Sequence, residues 1–153
     1  MKGDGHSLSI ETLPLDKQLC FALYASSKEI AKAYRDKLAP HGITYPQYLI
    51  LSALWDQDHR TVSEIGAELQ LDSGTLTPMI KRLEEAGWVL RIRQKPDERR
   101  VFVDLTEKGR TLKDDAACAV AEIWSDLNLN EDTYHVLLDQ LHSITAKLQK
   151  GDD

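Results

Sequence analysis

Two sets of side chains in this sequence are of types and spacings that do chemistry. The first is a thiol among hydroxyls. Cys20 lies in the segment LDKQLCFALYAS, flanked by Leu19, Phe21 and Leu23, with Tyr24 one helical turn later. A lone cysteine in an apolar helix is ordinarily an inert packing residue. Reaction with an oxidant needs thiolate character and access. Tyrosine hydroxyls favour the thiolate by donating hydrogen bonds to the charged form, and Tyr24, Tyr34 and Tyr45 are the candidate donors. The second set combines small hydroxyls with basic groups: Ser73, Thr75, Thr77 and Lys81, then Arg93, Asp97 and Arg99. Hydroxyls near a helix start suit base edges or phosphates, and lysine suits phosphate. The five histidines show neither HExxH nor paired-ligand spacing, so neither a metal site nor a cofactor is expected.

The elements that must position the second set run from Thr61 to Leu105. Thr61 and Glu64 are spaced as a capping box, and Ile65 and Leu69 follow on one side of a short helix. Leu71-Asp72-Ser73-Gly74 breaks the pattern, after which Leu76, Ile80 and Leu83 form the inward face of a second helix that Gly87 closes. Ser73, Thr75, Thr77 and Lys81 then fall on or beside its outward side. Ser73 or Thr75 serves equally well as the helix cap, and Pro78 leaves the first residue of the helix open.

From Trp88 to Arg93 the residues alternate, with Val89, Arg91 and Arg93 on one face, and Val101, Val103 and Leu105 return with the same period. Between them lies the polar tip Gln94-Lys95-Pro96-Asp97-Glu98-Arg99. Helix, turn, helix and basic hairpin in that order read as a winged helix, whose second helix enters a major groove while the wing reaches a neighbouring groove. Arg99 would enter a narrow minor groove, and Asp97 could orient it by a forked hydrogen bond.

The rest of the chain reads as helix. A stripe of Leu19, Leu23, Ile30, Tyr34 and Leu38 spans residues 15–39. Thr44-Tyr45-Pro46-Gln47 is a second capped start, leading into a helix with Tyr48, Leu51, Leu54 and Trp55 inward. Thr106 caps a long helix to about Leu127, and Asn130 caps a last one carrying Tyr134, Leu137, Leu141, Ile144 and Leu148. The expected fold is mainly α with a small β-hairpin wing (α+β). A winged helix-turn-helix lobe at residues 44–105 is joined to helices at 15–39 and 107–149, all within a single domain of residues 1–153. Those outer helices carry more apolar surface than the lobe can cover, which predicts a homodimer with two reading heads about one DNA turn apart, roughly 34 Å.

Charge distribution agrees with a DNA partner despite the formal net charge of −6. Residues 81–100 carry seven basic against four acidic side chains, a net of +3, whereas residues 111–153 carry three against nine, a net of −6. A basic patch on an acidic body still binds phosphate, through that patch alone. No apolar run reaches membrane-spanning length, the N-terminus lacks a signal-peptide pattern, and two cysteines are too few for a disulfide scaffold. A cytoplasmic protein without a membrane partner is expected.

TLTPMIKRLEEAGWVLR followed by DERRVFVDLTEKG resembles the DNA-binding lobe of MarR-type repressors, in which the wing's Asp-x-Arg and a following Leu-Thr-x-x-Gly are here Asp97, Arg99, Leu105, Thr106 and Gly109. LCFALYAS, Tyr34 and GITYPQYLILSALW resemble the organic-hydroperoxide-sensing OhrR branch of that family. The resemblance implies that Cys20 is the peroxide-reactive thiol, that Tyr34 and Tyr45 of the partner subunit contact it, and that the operator is a pseudo-palindrome. It also implies two ways of trapping the oxidised sulfur: a small thiol or sulfenamide, or a second cysteine that closes a disulfide across the dimer. Cys118, in DDAACAVAEIW, is either that resolving residue or a buried structural one. Two other readings stay open. One is a MarR-type repressor released by a phenolic ligand, held in a pocket lined by residues such as Tyr45 and Trp55. The other is a small thiol peroxidase, although neither a CxxC nor a βαβ pattern is present.

Overall fold

The computed structural model describes residues 13–94 and 100–150. After a single 3-10 turn, α1 (Leu19–Leu38) leads through a second 3-10 turn, Ala39–His41, to α2 (Tyr45–Asp56). The short strand β1 (Arg60–Thr61), α3 (Val62–Leu69), α4 (Ser73–Glu85), β2 (Val89–Arg93) and β3 (Val101–Leu105) follow, then α5 (Glu107–Leu127) and α6 (Glu131–Gln149). Among the described residues, six α-helices and a three-stranded antiparallel sheet, ordered β1–β3–β2, make the winged helix-turn-helix architecture expected from the sequence.

Local chemistry sets most of these boundaries. Thr44 and Gln47 form one full capping box and Thr61 and Glu64 another, each with both reciprocal hydrogen bonds made. Thr106 and Asn130 cap α5 and α6 through their side-chain oxygens. Gly87 follows α4 with φ of +79°, a left-handed conformation in which a side chain would be strained. The cap of α4 itself is Asp72, which accepts from the Thr75 N–H at 2.8 Å. Neither Ser73 nor Thr75 caps, because the helix already includes both, and Asp72 is the extended residue just before its first turn. α4 runs straight through Pro78, which has no N–H to give to the Gly74 carbonyl.

The core comprises Leu38, Ile50, Leu51, Leu54, Ile65, Leu76, Ile80, Leu83, Val89 and Val103, all essentially inaccessible. α2 lies at its centre, so Ile50 and Ala53 are buried as well as Leu51 and Leu54, while Tyr48 and Trp55 are only half-buried. Strand β1 was invisible to pattern reading, since two residues are too few to show alternation. It is held by pairing with β3, Arg60 opposite Val103 and Thr61 opposite Phe102. The α1 stripe is only half used. Tyr34 and Leu38 are buried, but Leu19 is 63% exposed, and no residue of α6 is buried. The helix begins at Leu19 rather than near Leu15 because Gln18 is extended.

α5 is fastened to the lobe by its first turn. The Trp55 indole donates to the Gly109 carbonyl at 2.9 Å, and the Thr106 hydroxyl donates to the Gly87 carbonyl at 2.7 Å. Gly109 lies against the Trp88 carbonyl so closely that a Cβ would stand 2.2 Å from that oxygen. Asp58 completes the joint, accepting from the Leu105 and His59 N–H groups and from Arg110, each at 2.9 Å. Burial pushes the Asp58 carboxyl up, but these hydrogen bonds and the Arg110 charge outweigh it and hold the group below its ordinary value of 3.8.

Two outcomes follow for stability. Gly109→Ala should cost about 2–3 kcal/mol in urea unfolding, because backbone on both sides must move to admit a methyl group. Asp58→Asn should cost about 1 kcal/mol at pH 7, a charge-assisted contact discounted for its partly exposed Arg110 partner. A lowered folded-state pKa stabilises above the unfolded value and ceases to as pH falls through the folded one. The gap between wild type and Asp58→Asn should therefore close as pH drops below about 4.

Candidate nucleic-acid interface and candidate thiol site

A groove of about 480 Å³ runs between the start of α3, the outward face of α4 and the base of the wing. Of the residues expected to meet DNA, Ser73, Thr77 and Arg93 line it. Lys81 does not, although it continues the same row one turn beyond Thr77, exposed and 3.9 Å from Glu85. Thr75 is turned away, its hydroxyl 3.2 Å from the Asp72 carboxylate. Asp97 and Arg99 lie outside the described residues.

Ser63, Arg91 and Arg100 also line the groove. Arg91 and Arg93 share one face of β2, an alternation visible in the sequence, whereas Ser63 joins only through tertiary packing. The two arginines of β2 differ in setting. Glu84 on α4 accepts from the Arg91 N–H at 2.9 Å and from its guanidinium at 2.7 Å. The backbone hydrogen bond does most to lower the Glu84 carboxyl, burial opposes it, and the guanidinium's bond and charge add to the lowering. Arg91 thus pins the wing to α4, while Arg93 and Arg100 are exposed where phosphates would approach.

The thiol set is divided. Cys20, in the first turn of α1, is exposed. Tyr24 follows it, 60% exposed, with the Lys28 ammonium 5.2 Å from its ring centre. Tyr34 and Tyr45 sit together elsewhere, ring centres 4.4 Å apart, and Tyr48 and Trp55 extend the cluster. Burial pushes the Tyr34 phenol up, outweighing a hydrogen bond from the Trp124 side chain that acts the other way, and Tyr45 and Tyr48 add to the rise. Burial and then Tyr48 raise Tyr45. Both phenols therefore hold their protons at neutral pH and remain donors. Cys20 and Tyr34 are fourteen residues apart on one continuous helix, roughly 21 Å at 1.5 Å per residue, so no contact forms within a chain.

Cys118 is exposed on α5 and is not a buried structural residue of the protomer. Lys37 of α1 pairs with Glu122, and Ile30 and Ala33 share a groove with Ile123 and Leu127, so the two helices run antiparallel. Cys118 then lies beyond Lys37 as seen from Cys20, which puts the thiols more than roughly 25 Å apart in one chain. A disulfide needs Cα atoms within about 7 Å. Any bridge between them must join two chains.

A family model described as transcriptional regulator SarA/Rot matches residues 32–116. The organic hydroperoxide resistance transcriptional regulator of Bacillus subtilis is 44% identical over 137 residues, covering 85% of this chain and 93% of that protein. The chain belongs to the MarR/SarA family of winged-helix transcriptional regulators. It binds DNA and is not an enzyme. The transcriptional regulator TtmR of Methylorubrum extorquens is 48% identical over 134 residues, 88% of this chain and 69% of that one. Among solved structures, reduced AbfR bound to DNA superposes with a TM-score of 0.75 at 39% identity, covering 88% of this chain and 93% of its own. A disulfide-formed AbfR superposes with a TM-score of 0.68 at 38% identity, covering 88% and 92%. Among the described residues of this MarR/SarA protein, no helix is long and apolar enough to cross a membrane.

For the DNA face, Arg93→Ala should weaken operator and random duplex alike and reduce the slope of log K against log[salt] by about one unit. Thr75→Val should leave operator preference unchanged, since its hydroxyl is engaged with Asp72. Fluorescence anisotropy with labelled duplexes measures both.

Proposed function

We propose that this chain is a dimeric cytoplasmic repressor that senses organic hydroperoxides through Cys20 and releases a pseudo-palindromic operator when Cys20 is oxidised. One observation carries the reading: an exposed thiol and a pair of proton-holding phenols, Tyr34 and Tyr45, that cannot meet within one chain. The unburied stripe of α1 and α6, with Leu19, Leu137 and Leu141 among its exposed apolar residues, supports a second copy that brings them together. The hydroperoxide-resistance name of the Bacillus subtilis relative supports the oxidant, and the reduced and disulfide forms of AbfR support a thiol switch.

In this mechanism Tyr34 and Tyr45 of one subunit donate to the partner's thiolate. The thiolate sulfur attacks one peroxide oxygen, the O–O bond breaks, and the alcohol leaves after its alkoxide takes a proton from water. The resulting sulfenic acid condenses with a thiol, losing water to form a disulfide. That thiol is either a small cellular one or Cys118 of the partner. The phenols lose their anionic acceptor, and Tyr45, which opens α2, passes the shift to the reading heads. A small tilt there removes several phosphate contacts together. The winged lobe of residues 44–105 and the outer helices at 15–39 and 107–149 are then the reading and dimerising halves of one domain.

The competing reading has a specific location. A cleft of about 490 Å³ between α2 and α5 is lined by Tyr48, Ser52, Trp55, Asp56 and Lys113, though not by Tyr45, which is packed against Tyr34. A phenolic ligand would sit there with Cys20 silent.

Cys20→Ser should bind operator as wild type does and stay bound in cumene hydroperoxide, whereas wild type is released. Tyr34→Phe should bind DNA normally but oxidise more slowly. Cys118→Ser should lose an intersubunit crosslink on non-reducing gels if Cys118 resolves Cys20. Release of Cys20→Ser by hydroperoxide as readily as wild type would overturn the thiol switch and favour the cleft.

A further inference from the structure

Lys108 belongs to the first turn of α5, yet its ammonium donates to the Ala86 carbonyl at 2.8 Å and stands 3.9 Å from the centre of the Trp88 ring. Ala86 closes α4, the helix that presents Ser73 and Thr77 to the groove. Its carbonyl is among the acceptors that every helix leaves without an internal partner at its C-terminus, and a cation there also meets the negative end of the helix dipole. A bond therefore runs from the helix packed on α1 to the far end of the helix that faces DNA.

The surrounding contacts set where α5 meets the end of α4, at one edge of the joint. Thr106 donates to the Gly87 carbonyl at 2.7 Å, and the missing Cβ of Gly109 lets α5 rest against the Trp88 carbonyl. Lys108 is at the outer edge of the joint, exposed and unnecessary to the core. Leverage makes that edge important. From its C-terminal end α4 extends about 18 Å, so a 5° tilt there moves Ser73 by roughly 1.6 Å, more than a hydrogen bond tolerates.

We infer that Lys108 is a positioning residue for operator recognition: by tying the C-terminus of α4 to the first turn of α5 it fixes the angle at which Ser73 and Thr77 meet DNA, without touching DNA itself. The inference rests on DNA binding by the winged lobe and is independent of whether Cys20 is the sensor.

Two variants of the full-length protein test it. Lys108→Met keeps the aliphatic stem on Trp88 and removes the ammonium, and Lys108→Arg keeps a charged donor. Binding to operator and to a random duplex is measured by anisotropy across a range of salt, with urea unfolding alongside. Lys108→Met should lose about three- to tenfold in operator affinity, the range of one ordinary net hydrogen bond, because water screens the charge of the exposed ammonium. Its affinity for random duplex and its salt slope should be unchanged, and Lys108→Arg should restore operator affinity to within about twofold. A salt slope lower by about one unit would overturn the inference, since Lys108 would then be a phosphate contact. So would unchanged operator affinity in Lys108→Met, failure of Lys108→Arg to rescue, or a loss that merely follows a reduced folded fraction.

Discussion

The carbonyl of Trp88 is the point on which this molecule turns. It accepts from the Thr106 N–H at 3.1 Å, the Thr106 hydroxyl that donates to the neighbouring Gly87 carbonyl lies 3.1 Å away, and Gly109 is pressed against it. On one side of that oxygen α4 has just ended; on the other β2 begins; across it α5 sets out toward α1. A backbone acceptor that is paired and sterically enclosed ties three elements together at once. The Leu105-Thr106-x-x-Gly109 motif therefore has a mechanical reason. Leucine ends the strand in the core, threonine caps the helix while reaching back, and glycine permits the approach.

Around this joint the two halves of the chain follow different economies. The winged lobe is closed at its core: its capping boxes are complete, Val89, Val103 and Leu105 of the strands are buried, and no described polar side chain is buried without a partner. The outer helices are open. α6 buries none of its residues, and the first half of α1 exposes Leu19, Phe21 and Tyr24. Apolar surface left in water on that scale favours association, so the half proposed to read DNA completes itself, and the unfinished half is the one proposed to meet a second copy.

Much of this was legible in the residues. Capping boxes at Thr44 and Thr61, the caps Thr106 and Asn130, the left-handed Gly87 and the period-two strands are local signals, and local chemistry decides them. What escaped notice was tertiary. β1 exists only because Arg60 and Thr61 lie beside β3. Ile50 and Ala53 are buried because α2 is surrounded, which no single face could announce. Ser63 and Arg100 reach the groove through packing, and Asp72 rather than Ser73 or Thr75 caps because the helix starts one residue after it, a boundary that Pro78 left open. The thiol site was legible as a set of residue types, but the separation of Cys20 from Tyr34 and of Cys20 from Cys118 required the course of α1 and α5.

The Asp72 cap has a bearing on how such a protein diversifies. Because a residue outside the groove holds the start of α4, and draws Thr75 in with it, the groove-lining Ser73 and Thr77 carry no duty in keeping the helix folded. Exposed helix positions of that kind tolerate replacement at a cost of a few tenths of a kcal/mol. With Ser73 and Thr77 reading DNA as proposed, recognition and foldedness would rest on different residues, and a change of operator would cost little stability.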